Sequence, residues 1–225
     1  MNRRNFLKST ALMAAMMSVK PVFAADLFSK TRRDISGVFS LDIITENPDK
    51  AVFAAERFIK KFFDGKISYN ENVMKGRFTS DIVMVKNGAL INYKSEKGDL
   101  AERLKVLANE AGAGNVPENP WLISFSAGGD QKPGKIKIHS GDQIVKVIDI
   151  SKHDYTELEI EGRLGISRFH LSDGAIRMTG APCGHKTCIQ AGAVSATGGS
   201  IVCIPNMVRA IIEGNGKSPV DAVTG

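Results

Sequence analysis

Three cysteines and one histidine near the end of the chain are the side chains best suited to chemistry. Cys183, Cys188 and Cys203 fall within 21 positions, and His185 lies between the first two. Thiolates and imidazoles are the usual protein ligands of zinc, and thiols also form disulfides or exchange electrons. These four residues are therefore the candidate site that the sequence offers.

The spacing leaves four interpretations of the cysteines open. The first is one disulfide with one buried free thiol, which an oxidising compartment favours, and three single pairings are possible. The second is three reduced thiols buried in the core. The third is a metal site in which the three thiols and His185 bind zinc, although the spacing is not that of a standard zinc finger. The fourth is a redox-active pair, with Lys186 placed to lower the pKa of Cys188.

The sequence around these cysteines resembles the NusG domain II family. Its pattern is a cysteine, four residues, a second cysteine and a nearby glycine, followed by Ile-Val-Cys-Ile-Pro-Asn at 201–206. The tail at 221–224 is similar to the tails of exported members. The resemblance covers residues 136–224 and implies a β module in an accessory protein of the cell envelope, with no known reaction.

The N-terminus predicts export through the twin-arginine route. It resembles the twin-arginine consensus at Arg3, Arg4, Phe6, Leu7 and Lys8. The apolar stretch at 11–19 is too short to span a bilayer, which favours a cleaved signal over an anchor. We predict a signal peptide at 1–24, cut after Ala24, and a periplasmic mature chain without a membrane span.

The charge of the chain does not favour a nucleic-acid partner. The whole chain carries a formal charge of +6, but four basic residues and no acid lie in the first 24 positions, which leaves +2 for the remainder. Domains that bind nucleic acid carry a strongly basic surface. We expect instead that the partner is a cell-envelope protein or a small ligand.

Strand and helix patterns before the cysteines predict an α+β domain over 36–126. Helices are predicted from the Asn-Pro-Asp start at 47–49 to 63 and from 98 to 107. Strands are predicted at 39–45, 73–78, 81–85, 89–93 and 121–125, with a hairpin at Asn87-Gly88. This order predicts a small ferredoxin-like sandwich, with helices on one face of an antiparallel sheet.

Short strands and frequent turns predict a compact all-β module over 136–224, after a glycine-rich linker at 128–134. The predicted strands are 144–150, 157–161, 163–171, 175–178, 201–204 and 207–212. The fold class is therefore α+β, in which a sandwich is followed by a β module.

Two functional hypotheses follow from these patterns. The first is an exported periplasmic accessory or binding protein without its own catalytic activity, because we find no phosphate loop or nucleophile elbow over 36–126 and no constellation of a hydrolase or transferase elsewhere. The second is a periplasmic redox or metal-binding protein that uses the three cysteines. The sequence identifies no cofactor, and it leaves open whether a metal or a flavin is bound.

Overall fold

The computed structural model describes residues 38–63, 66–128, 132–152 and 155–215. The predicted signal peptide at 1–24 and the tail at 221–224 lie outside these residues. No helix within the described ranges is long and apolar enough to cross a membrane.

The first half of the described chain is an antiparallel sheet covered by two helices. In chain order the elements are β1 (Phe39–Thr45), α1 (Pro48–Phe62), β2 (Ser68–Val73), β3 (Asp81–Lys86), β4 (Ala89–Ile91), α2 (Asp99–Glu110) and β5 (Trp121–Ala127). The strand order is β2-β5-β1-β3-β4, and every neighbouring pair is antiparallel. The predicted α+β class is confirmed.

The two helices form because their apolar residues recur at helical spacing and their ends are well defined. Asn47 caps α1 by accepting a hydrogen bond from the Lys50 amide at 3.2 Å, and Pro48 occupies the first turn, where its missing N–H costs nothing. The apolar stripes of both helices pack on one face of the sheet, in a core that includes Leu41 and Ile123. The helices therefore cover one sheet face and leave the other to the second half of the chain.

Two details of the first half differ from the predictions. The strand predicted at 73–78 is displaced, because β2 ends at Val73 and the following residues leave the sheet, where Met74 and Phe78 become buried. The strand order also differs from a ferredoxin-like order, in which the strand after the first helix lies beside the third strand. Here β2 lies beside β5, and β4 occupies the edge next to β3.

The second half of the described chain consists of two four-stranded sheets. Its elements are β6 (Pro133–Ser140), β7 (Gln143–Asp149), a short 3-10 helix (Ile150–Lys152), β8 (Tyr155–Gly162), β9 (Gly165–Ser172), β10 (Ala175–Gly180), α3 (Thr187–Gln190), β11 (Ala193–Val194), β12 (Ser200–Cys203) and β13 (Val208–Gly214). The sheets have the orders β11-β10-β9-β8 and β12-β13-β6-β7. Their alternating apolar residues form one core that is separate from the core of the first half.

The β module packs against the first half, and the described residues of both halves belong to one compact unit. Polar contacts join the two halves at several points. The Arg209 guanidinium donates to the Gly88 carbonyl at 2.9 Å, and the Gln190 side-chain oxygen accepts from the Lys75 amide at 2.7 Å. These contacts fix the β module over the sheet face that the helices leave free.

Asn206, in the turn after β12, is a buried side chain that makes three hydrogen bonds. It is fully buried, its Oδ1 accepts from the Leu164 amide at 2.6 Å, and its Nδ2 donates to the Gly165 carbonyl and the Ser167 hydroxyl at 2.9 Å each. One amide therefore ties the turn after β12 to the β8–β9 hairpin of the opposite sheet.

We expect Asn206→Ala to lower the free energy of unfolding by about 2–4 kcal/mol, because it leaves one donor, the Leu164 amide, and two acceptors, the Gly165 carbonyl and the Ser167 hydroxyl, without the partner that Asn206 supplies. Urea unfolding followed by circular dichroism measures the change. The matched control is Asn109→Ala on the exposed surface of α2, which should change stability by less than about 0.5 kcal/mol. An equal effect of the two substitutions would contradict the role assigned to Asn206.

Candidate functional site

The three cysteines come together in the core of the β module. Cys183 lies in the loop after β10, Cys188 lies on α3, and Cys203 is the last residue of β12. Their three Sγ atoms all lie within 4.8 Å of one another. The residues are only 6%, 3% and 2% exposed, respectively, so the sulfurs form a buried cluster rather than a surface site.

The local backbone explains how Cys188 reaches the other two thiols. Lys186 adopts a left-handed conformation with φ 54°, and its carbonyl accepts the amides of Ile189 and Gln190. This turn starts the four-residue helix α3, whose one buried residue is Cys188. The sequence analysis did not predict this helix, because four residues are too few to show helical periodicity.

A hydrogen bond between Cys188 and Cys203 shifts the pKa values of both thiols. The pKa of Cys203 is lowered to about 6 because Cys188 donates a hydrogen bond to it, against the opposing effect of burial. The same hydrogen bond raises the pKa of Cys188, and burial raises it further. The Lys186 ammonium donates to the Ala181 carbonyl at 3.3 Å. Lys186 is not among the groups that shift the pKa of Cys188, so the lowering that the sequence suggested is not found.

His185 does not join the cluster. It is exposed, and its ring centre lies 6.4 Å from that of Phe78 in the first half of the chain. Among the described residues, no histidine, aspartate or glutamate joins the three sulfurs in a set of mutually close ligand atoms. The predicted set of three cysteines and one histidine is thus reduced to the three thiols.

The other described histidines have structural surroundings. His139 is buried and its Nδ1 lies 3.2 Å from an Arg209 nitrogen, and its pKa is lowered by burial and by that positive charge. His170 packs edge-on against Tyr155, with ring centres 4.8 Å apart. Neither belongs to the thiol cluster.

The predicted disulfide is not formed in this structure, where all three cysteines are free thiols. A disulfide requires an S–S distance of about 2.05 Å. Three thiolates that share one zinc ion at about 2.3 Å lie about 4 Å apart. The upper limit of 4.8 Å on the three separations is compatible with a shared metal ion after small shifts, so the residues present fit a trigonal thiolate site.

A polar cleft between the two halves was missed by the sequence analysis. It has a volume of about 360 Å³ and lies between strands β1, β2 and β5 and the segment from 191 to 200. Its sheet wall carries six polar side chains: Ser40, Asp42, Ser68, Asn70, Ser124 and Ser126. A signal was present, because each strand contributes two polar residues spaced by two, which places both on one face of a strand.

The fold and the thiol cluster together define a chain with a two-sheet β module, whose core holds three cysteines, attached to an α+β sandwich. The sequence model of the NusG domain II family matches residues 112–216 of this chain. This confirms the resemblance found around the cysteines. The match begins before the predicted module boundary at 136 and includes β5 of the first sheet.

Solved structures similar to this chain include three bacterial proteins. Lin0431 from Listeria innocua is 19% identical, covers 37% of this chain and 99% of its own, and gives a TM-score of 0.35. A DUF1312 family protein (EF3258) from Enterococcus faecalis is 19% identical, with coverage of 36% and 98% and a TM-score of 0.34. A DUF1312 family protein from Ruminococcus gnavus is 25% identical, with coverage of 36% and 97% and a TM-score of 0.30. No protein of curated function matches the sequence.

We expect the three thiols of the reduced protein to react with dithiobis(nitrobenzoate) at least about 100-fold more slowly in the native state than in denaturant. The reason is that the reagent reaches a buried sulfur only when the fold opens. The absorbance of released thionitrobenzoate measures both rates. The same reduced protein in guanidinium is the control and should yield three thiols. Fast reaction of any cysteine in buffer would contradict the burial described here.

Proposed function

We propose that this chain is an exported periplasmic accessory or binding protein without catalytic activity of its own. The observation that supports this most is the state of the three thiols. Thiol catalysis needs an accessible sulfur and a base within hydrogen-bond reach, whereas these sulfurs are buried and no described histidine or carboxylate joins them. The burial of the three thiols supports a structural role for them, and it favours a protein that acts by binding.

The N-terminal sequence and the charge supply independent support for the location and the partner. The consensus residues Arg3, Arg4, Phe6 and Leu7 favour transport of a folded chain to the periplasm. The remaining charge of +2 gives no electrostatic reason for a nucleic-acid partner. The partner in this proposal is a cell-envelope protein or a small ligand.

We expect the pair Arg3→Lys and Arg4→Lys to leave the chain in the cytoplasm as an uncleaved precursor, because the twin-arginine pair is the recognised feature. Cell fractionation followed by intact mass spectrometry measures the location and the first residue, which should be Ala25 in the exported wild type. Lys8→Arg keeps the charge and is the matched control. A periplasmic, cleaved product from the double variant would contradict this route of export.

A second candidate function is metal binding or redox chemistry at the thiol cluster. It is favoured by one observation, which is that three Sγ atoms from separate segments lie within 4.8 Å of one another. Three thiolates suit a soft ion such as Cu(I), or zinc with a fourth ligand from solvent. As a redox centre, two of the thiols would close to a disulfide, releasing two protons and giving two electrons to a disulfide oxidant of the periplasm.

Native mass spectrometry of protein recovered from the periplasm tests this candidate. A metal-binding cluster predicts one ion per chain, lost on denaturation and lost in Cys188→Ser, because Cys188 interacts with both other thiols. His185→Ala is the control and should keep the ion, since His185 lies outside the cluster. A redox centre instead predicts a denatured mass two hydrogens light that dithiothreitol restores. A metal-free, fully reduced protein would exclude both versions.

A further inference from the structure

The sheet wall of the cleft is a regular array of polar side chains. The strand registers place Ser68, Ser126 and Ser40 in one row across β2, β5 and β1. The next row, two residues along, is Asn70, Ser124 and Asp42. Strands lie about 4.8 Å apart and same-face residues about 6.7 Å apart, so the array presents its groups over roughly 10 by 7 Å.

The array is bounded at both ends, which makes it a site rather than an open polar face. The third row across the same strands is Asn72, Leu122 and Ile44, and Leu122 and Ile44 belong to the apolar cluster with Met74 and Phe78. At the other end of the array, the buried hydroxyls of Ser40 and Ser200 are hydrogen-bonded at 2.5 Å. The array therefore lies between the apolar cluster around Leu122 at one end and the Ser40–Ser200 hydrogen bond at the other.

The opposite wall leaves space because its residues are small. It is formed by Ala191, Ala193, Val194, Ser195, Ala196, Gly199 and Ser200. Gly198 anchors this segment against the end of β5, since a Cβ there would come within 2.3 Å of the Ala127 carbonyl oxygen. The segment is thus held close to the sheet at Gly198 and at the hydrogen bond between Ser200 and Ser40, and it stays apart from the rest of the array, which leaves the volume of about 360 Å³.

The chemistry of the lining selects the charge of the ligand. Among the described lining residues Asp42 is the one acid, and no lysine, arginine or histidine accompanies it. The other titratable lining residue, Tyr69, donates its hydroxyl to Glu71. A carboxylate surrounded by hydroxyls and an amide favours ligands rich in hydroxyl donors with a positive charge, and it repels anions.

We propose that this cleft binds a small polyhydroxylated ammonium compound of the amino-sugar class, with the ammonium group on Asp42 and the ligand hydroxyls on the serine and asparagine side chains. This inference rests on the proposed function as a binding protein, and it names the ligand class and the site. The array satisfies several ligand hydroxyls at once, as neighbouring hydroxyls of a sugar ring require.

The protonation of Asp42 gives the site a pH dependence with a definite sign. Burial raises the pKa of Asp42 to about 6, against the lowering effect of the hydrogen bond from Ser124. The carboxylate that receives the ammonium is therefore present above this pH and is lost as the pH falls through about 6. The ligand ammonium stays charged over the same range, so weaker binding at low pH reports the protonation of Asp42.

The test uses the full mature chain and three probes that differ in charge: D-glucosamine, D-glucose and D-gluconate. Isothermal titration calorimetry and amide shifts in nuclear magnetic resonance report affinity and location. We expect glucosamine to bind at neutral pH with shifts at the array, at least about tenfold more tightly than glucose, and gluconate not to bind. Glucosamine affinity should fall on acidification through the range of Asp42.

Two variants and a control separate the site from general effects on the fold. Asp42→Asn should weaken glucosamine binding at least about tenfold and remove its pH dependence. Ser195→Tyr, at an exposed position of the opposite wall, should fill the cleft with a bulky side chain while leaving every residue of the sheet unchanged. The control Asp173→Asn removes an equal charge from the turn after β9 and should leave binding unchanged.

Several outcomes would overturn the proposal. They are equal binding of glucosamine and gluconate, unchanged binding in Asp42→Asn or in Ser195→Tyr, or no response of the array to any of the three probes. The function as a binding protein is tested separately, by native mass spectrometry for any small molecule carried by the periplasmic chain. A carried molecule that is anionic, or that Ser195→Tyr does not displace, would support that function while excluding this ligand class and this site.

Discussion

The central constraint on this fold is that a five-stranded sheet has two faces and the helices cover only one. The apolar face of the sheet is buried under α1 and α2. The other face must be covered by the β module, and this face is divided. Its apolar part, around Leu122 and Ile44, packs with Met74, Phe78 and Ala191, while its polar part retains a cleft. Hydrophobic burial thus decides where the two halves touch, and the polar rows decide where they stay apart.

The β module can cover this face because hydrogen bonds and packing inside the module hold the segments that contact the sheet. Asn206 ties the turn after β12 to the β8–β9 hairpin, and the three thiols fill the space between the end of β12, α3 and the loop after β10. The same region presents Gln190 and Ser200 to the first half, where they bond to Lys75 and Ser40. The thiol cluster and the cleft therefore share the segments that position them, although they differ in chemistry.

Local signals made much of the fold predictable from the sequence, and long-range pairing accounts for what was not. Helix α1 and the hairpin at Asn87-Gly88 were predicted correctly, because a cap, a proline and a turn dipeptide act within a few residues. Strand β6 was missed because it begins at Pro133, inside the segment that its glycines and proline predicted as a linker at 128–134. The partner of β2 is set by contacts about fifty residues away, which no local pattern encodes.

The candidate site was predictable in composition but not in geometry. The spacing of Cys183, Cys188 and Cys203 indicated a cluster, and the structure brings the three sulfurs together. His185 was a reasonable candidate from its position between two cysteines, yet the left-handed residue at 186 starts a helical turn that buries Cys188 and leaves His185 outside. The polar array was invisible as a unit, because its members come from three strands that are remote in the chain.

The burial of the thiol cluster links the oxidation state of the thiols to whether the chain folds before or after it crosses the membrane. A chain that crosses the membrane already folded, as proposed here, closes its core in the reducing cytoplasm, before it meets any oxidant. Its sulfurs are then shielded on arrival, since exposure requires opening of the module. The oxidation state of the mature protein would therefore be inherited from the compartment of folding rather than set by the compartment of residence. An identical chain that crossed the membrane unfolded would fold in the oxidising compartment, where its thiols are exposed to oxidants before the core closes.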